Sequence, residues 1–166
     1  MNIQLLERIK HMSDVAIYHE LYRDHLTGAL NRKAFDLDDK PYFAIIDLDS
    51  LKYVNDTLGH RYGDAQLCEL AGALVRGFGH DDVYRLSGDE FALKGVSPTL
   101  LNVILRQLSS ELRTFSYGIG GTLEAADARL SRAKQQRERD GLRASRGECP
   151  PWIAAVCTIE GAAYNV

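Results

Sequence analysis

The spacing of apolar residues changes repeatedly along this chain, and each change marks a predicted element. Leu5, Ile9, Met12 and Ala16 recur at helical intervals, which predicts an amphipathic helix over residues 1–23. The turn Asp24-His25-Leu26-Thr27-Gly28 ends it, with Gly28 as the natural stop. After a short linker, YFAIIDLD is a brief apolar run with β-branched residues, the pattern of a buried strand. SLKYVNDTLGHRYGDAQ holds too many turn formers for one helix. It predicts a helical turn, a loop at Gly59 and Gly63, and then a helix through AQLCELAGALVRGF. In VYRLSGDEFAL two apolar half-strands flank Ser87-Gly88-Asp89-Glu90, so residues 83–94 form a hairpin with that tetrad at its tip. Ser97-Pro98 opens a helix from Thr99 to about Arg113, since Pro fits a first helical turn and Ser can cap it. TFSYGIG follows as a strand, and LEAADARLSRAKQQRER as a helix ended by Asp140-Gly141. RASRGECPP is a polar link, and WIAAVCTIE has the pattern of one last strand.

From residue 42 to residue 120 the order is β-α-β-β-α-β, an α+β arrangement of the ferredoxin-like kind: an antiparallel sheet with helices on one face. The N-terminal helix (1–23) precedes one domain (24–166), whose core is extended by a C-terminal helix and strand. In such a sheet the first strand lies beside the hairpin. Asp47, near the end of YFAIIDLD, is then a neighbour of Asp89 and Glu90. Clustered carboxylates are how proteins hold Mg²⁺ on a nucleoside triphosphate. Gly88 lets a phosphate or backbone approach without a Cβ in the way.

Composition narrows the partners. A chain of 166 residues suits one compact domain, and a formal net charge of −3 argues against a broad nucleic-acid-binding surface. The start, MNIQLLERIKHM, lacks the basic opening and apolar core of a signal peptide. No apolar stretch approaches the roughly 20 residues of a membrane span. Cys68, Cys149 and Cys157 fit no disulfide framework or zinc spacing. The expectation is a cytoplasmic protein with reduced thiols.

Five blocks then stand in order: DHLTGALNR (24–32), FAIIDLDSLKYVNDTLGHRYGD (43–64), YRLSGDEFAL (84–93), SYGIG (116–120) and AADARLSRAK (125–134). Together they resemble the GGDEF family of diguanylate cyclases, palm-type enzymes that join two GTP molecules into cyclic di-GMP. The resemblance implies that Asp47 and Asp89 bind Mg²⁺ (or Mn²⁺) with the backbone carbonyl of Leu48. Glu90 would join the second metal site or deprotonate the attacking hydroxyl. Asn55 and Asp64 match positions that read guanine, and an aspartate can accept from both guanine N1–H and the 2-amino group. Lys52 and Lys134 match positions that contact the triphosphate, and Gly88 would lie against phosphate. Each copy would hold one GTP, so catalysis implies a homodimer. Plainer roles stay open. The acids can cap strand ends, Asn55-Asp56 can be a turn, Asp64 an N-cap, and each lysine a solvated surface residue. Asp49 either orients local backbone or binds metal, and His60 reads as structural.

Four departures bear on activity. Ser87 replaces the first glycine of the signature, and Glu138 stands where the family carries an arginine, with Arg137 or Arg139 as possible substitutes. The stretch from Phe91 to Ser116 is short, so a peripheral hairpin is missing. The register of the family's RxxD product-inhibition motif gives Phe78-Gly79-His80-Asp81, and Arg76 lies two residues early, so no inhibitory site is expected. Two readings remain: an active diguanylate cyclase, or a degenerate GTP- or cyclic-dinucleotide-binding module of little or no turnover.

Overall fold

The structure is a computed structural model that describes residues 10–112, 114–145, 148–151 and 153. Its elements run α1 (Asp14–Tyr22), β1 (Leu30–Asn31), α2 (Arg32–Leu37), β2 (Tyr42–Leu48), α3 (Leu51–Leu58), α4 (His60–Phe78), β3 (Val83–Ser87), β4 (Glu90–Gly95), α5 (Pro98–Leu112), β5 (Phe115–Gly120) and α6 (Leu123–Arg139). The strands form one sheet in the order β1-β3-β4-β2-β5. Strands β2 to β5 carry the expected ferredoxin-like core, with β2 antiparallel to both β4 and β5. β1 adds a parallel edge beside β3, so the sheet is mixed.

The helices of the ferredoxin-like core, α3, α4 and α5, lie on one face as expected, while α2 and α6, outside residues 42–120, cover the other. Ala44, Ile46 and Leu48 pack on one side with Leu51 of α3, Leu67, Leu70 and Leu74 of α4, and Leu101 and Leu105 of α5. Ile45 faces the other way, with Phe35 of α2, Tyr84, Ala92, and Ala126 and Leu130 of α6. The reason lies in β2, which is buried at five successive positions from Ala44 to Leu48. A strand apolar on both faces must be covered on both.

Three local expectations change. The helix foreseen over 1–23 is interrupted: the chain leaves helical geometry at His11 and Met12, and α1 restarts behind Ser13, whose Oγ accepts from the Ala16 N–H at 3.2 Å. Leu5 and Ile9 lie outside the described residues. The linker after Gly28 contains β1 and α2, the latter capped by Asn31 Oδ1 and anchored by Phe35, which meets Phe43 and Tyr84 edge-on. Finally, Gly59 (φ 89°) does break the chain between α3 and α4, but Gly63 sits inside α4. A Cβ there would overlap Asn55 Oδ1 and lie 2.9 Å from Leu51 Cδ1, so this glycine serves the close packing of α4 on α3. The strand expected from WIAAVCTIE falls mostly outside the described residues; Pro151 and Ile153 are helical.

Candidate active site

Register brings the separated acids together. Asp47 pairs with Glu90 across β2 and β4, and the Leu48 N–H donates to the Asp89 carbonyl at 3.0 Å. The tip of the β3–β4 hairpin turns at Gly88, whose φ of 39° lies in the left-handed region with open space where a Cβ would stand. Arg85 steadies this tip. Its Nε and Nη2 donate to the Gly88 carbonyl at 3.1 and 2.7 Å, while Nη1 donates to Asp24 Oδ1 at 3.0 Å. Burial raises the Asp24 carboxyl, but hydrogen bonds from Thr27 and Arg85 outweigh it and hold the group below its usual range. The signature serine is more than a small residue: Ser87 Oγ donates to Glu90 Oε2 at 3.1 Å.

A cleft of about 720 Å³ opens beside this junction, lined by Asp47, Leu48, Lys52, Asp89, Lys134 and Arg143 among others. Ser50, at the N-cap of α3, is strained into left-handed geometry (φ 64°) and makes no side-chain cap, and the first turn of α3 lines the cleft. Asp47 is buried, and Lys134 Nζ reaches its Oδ2 at 2.6 Å. Burial nevertheless pushes the Asp47 carboxyl up. Lys134 opposes that shift, and the charges of Asp89 and Asp49 add to it.

Asp49 is only 2 % exposed and does not face the cleft. It accepts from Ser116 Oγ (2.9 Å), Arg137 Nε (3.2 Å) and Arg143 Nε (2.8 Å). It therefore anchors two arginines from the C-terminal end of the fold rather than acting on local backbone. Arg137, tied to Asp49, is not presented to the cleft as a substitute for an arginine at 138, and Arg139 does not line it either.

The sequence-predicted residues separate into groups. Asp47, Leu48, Asp89, Lys52 and Lys134 share the cleft. Glu90 faces the same side of the sheet as Asp47 but belongs to the hairpin rim. Asn55 lies half-buried on α3 against Gly63, next to the exposed Asp64 in the first turns of α4, and neither lines the cleft. His60 is the exposed first residue of α4. At the RxxD register, Phe78 packs against the core, and Asp81 has Arg23 at 3.9 Å. Arg143 was missed, because RASRGECPP carries no periodicity that places it; the charge of the segment was the one signal.

Among the described residues no three His, Cys, Asp or Glu side chains gather as a metal cluster. Asp47, Leu48 and Asp89 line one cleft, and two carboxylates with a backbone carbonyl make a set of hard oxygen donors. That set fits Mg²⁺, which binds through one or two carboxylates and takes its other ligands from substrate phosphates and water.

Comparison with known proteins decides the family. The profile of the diguanylate cyclase GGDEF domain matches residues 21–117. The chain belongs to the GGDEF domain family. Among curated relatives of this GGDEF domain, the probable diguanylate cyclase DgcI of Escherichia coli K12 is 38% identical over 93 residues, covering 51% of this chain and 21% of that protein. The diguanylate cyclase DgcN of the same organism is 41% identical over 83 residues, covering 42% and 20%. The chain thus spans about a fifth of the length of these relatives. The GGDEF domain of DgcB from Caulobacter crescentus, solved with cyclic di-GMP, superposes with a TM-score of 0.62 at 25% identity, over 69% of this chain and 91% of that one. Membership of the GGDEF family is consistent with diguanylate cyclase activity or a related role in cyclic di-GMP signalling. Among the described residues no helix is long and apolar enough to cross a membrane.

Proposed function

We propose that this GGDEF domain is a diguanylate cyclase, in which two copies each hold one GTP and condense them into cyclic di-GMP and two pyrophosphates. The observation that carries the reading is the convergence of Asp47, Leu48 and Asp89 with Lys52 and Lys134 on one cleft. Each bond forms when a 3′-hydroxyl attacks the α-phosphate of the other GTP, so positioning and charge neutralisation matter more than covalent help. Asp47, Asp89 and the Leu48 carbonyl would hold Mg²⁺ (or Mn²⁺), which would supply charge neutralisation at the phosphates when bound. Lys52 and the first turn of α3 bind phosphate oxygens by charge and by backbone N–H groups. Lys134 exchanges its bond with Asp47 for phosphate as the nucleotide enters. Glu90 stands on the rim, where a hydroxyl carried by a second copy arrives, and takes its proton while Ser87 holds one carboxylate oxygen. Asp64 accepts from guanine N1–H and the 2-amino group, and Asn55 pairs with another edge of the base.

Incubation of the purified protein with GTP and Mg²⁺, followed by chromatography of the nucleotides, is the direct test. Cyclic di-GMP is expected, and its formation should vanish with Asp89→Ala or with EDTA. Tight GTP binding without any cyclic dinucleotide at high protein concentration would instead assign the domain a binding role, a reading that the Lys134–Asp47 contact and Glu138 at the cleft favour.

A further inference from the structure

After α6 the chain doubles back on the cleft. Gly141 adopts a φ of 67°, and the N–H groups of Leu142 and Arg143 both donate to the Arg137 carbonyl, at 2.8 and 3.1 Å. This turn aims the Arg143 side chain at the end of β2. Its Nε donates to Asp49 Oδ1 at 2.8 Å and its Nη1 to Glu138 Oε1 at 3.0 Å, while Nη2 lies 4.0 Å from Asp47 Oδ1. Those two hydrogen bonds engage two of the five N–H donors of a guanidinium. Arg143 and Lys52 both line the cleft.

Two observations make this more than a structural strap. Asp49 already accepts from Ser116 and Arg137, so its charge is compensated without Arg143. The cleft itself is lined by five carboxylates (Asp47, Asp56, Asp89, Glu138, Glu148) against three cationic side chains (Lys52, Lys134, Arg143), a balance that repels a polyanion. Of the three, Lys134 is engaged by Asp47 and Lys52 is exposed on α3. Arg143 is the cation whose position is fixed on two sides by carboxylates. A guanidinium so oriented can grip a phosphate through two parallel N–H bonds, with little side-chain freedom left to lose.

We propose that Arg143 is a phosphate-binding residue of the cleft, held ready by Asp49 and Glu138 for the distal phosphates of a bound nucleoside triphosphate. The inference rests on the nucleotide reading of this cleft and deepens it. Glu138, which as a lone carboxylate would repel phosphate, here becomes a positioning residue that orients the neighbouring arginine.

Calorimetric titration of the full chain with a non-hydrolysable GTP analogue and with GMP tests this without relying on turnover. Arg143→Ala should weaken the triphosphate analogue by about tenfold, as loss of one charge-assisted contact implies. GMP, which lacks the distal phosphates, should change by less than about twofold. Arg143→Lys should recover part of the loss. Glu138→Gln should weaken the analogue less than Arg143→Ala does, and again spare GMP. A merely structural role would weaken both ligands in parallel, and that result, or unchanged analogue affinity in Arg143→Ala, overturns the proposal. If the wild-type protein binds neither nucleotide, the nucleotide reading itself fails. If it binds both and Arg143→Ala is silent, only the role of Arg143 falls.

Discussion

Asp47 combines burial with charge in a way that sets function against stability. Its carboxyl is raised by burial first, with Asp89 and Asp49 adding to the shift despite the Lys134 ion pair. A group whose pKa is raised on folding favours the fold while protonated, below the unfolded value of 3.8, and loses that contribution as pH rises through the folded pKa. Asp47→Asn, which removes the charge and keeps the shape, should therefore match wild type near pH 3 and melt no lower than wild type at pH 7. Cyclase turnover should be abolished. Thermal unfolding followed by circular dichroism at both pH values checks this, and a fall of several degrees at pH 7 would show the Lys134 pair to be net stabilising. Ser87 belongs to the same scale. Its bond to Glu90 reconciles a non-glycine signature with an ordered rim carboxylate.

Between elements, close approach explains residues that look like turn formers in the sequence. Gly118 of the SYGIG block lies under α6, where an added Cβ would run into the backbone of Ala126 and Leu130. Backbone cannot move aside as a flexible side chain can. Gly118→Ala should push α6 off β5, cost about 3 kcal/mol, the upper end for overpacking, and carry Lys134 and Arg137 out of place. Urea denaturation reads the stability loss, and a midpoint equal to wild type would contradict the packing. Gly63 is the milder counterpart, since the atoms it faces belong to the side chains of Asn55 and Leu51. The same reasoning accounts for α2, whose six residues rest on the burial of Phe35 rather than on helical propensity.

At the scale of the whole molecule, the acids Asp47 and Asp89 line a cleft of one copy, and the proposed condensation needs two nucleotides face to face. The proposed chemistry then requires a second copy, at least while substrate is bound. Sedimentation with a non-hydrolysable GTP analogue and Mg²⁺ should show a species of twice the chain mass. A strictly monomeric chain, at a concentration where it turns over, would contradict the two-copy mechanism. The exposed apolar residues Val15, Tyr18 and Leu21 on α1 leave that helix largely unburied within one copy.

What could be read from the amino acids alone was whatever depends on near neighbours. The short apolar run of β2, the Ser97-Pro98 start of α5, the stop at Asp140-Gly141 and the order of the five blocks are local, and they carried both the ferredoxin-like core and the family. The proximity of Asp47 to Asp89 and Glu90 followed once that topology was assumed, because strand pairing leaves few registers. Tertiary structure alone decided the rest. That Gly63 lies within a helix, that α6 covers the second face, and that Asp49 anchors Arg137 and Arg143 all depend on contacts between segments far apart in the chain. A glycine reads the same whether it breaks a helix or lets another element come close, and a charged side chain does not announce its partner. Only the folded geometry, which brings Arg143 back over the end of β2 some ninety residues earlier, distinguishes them.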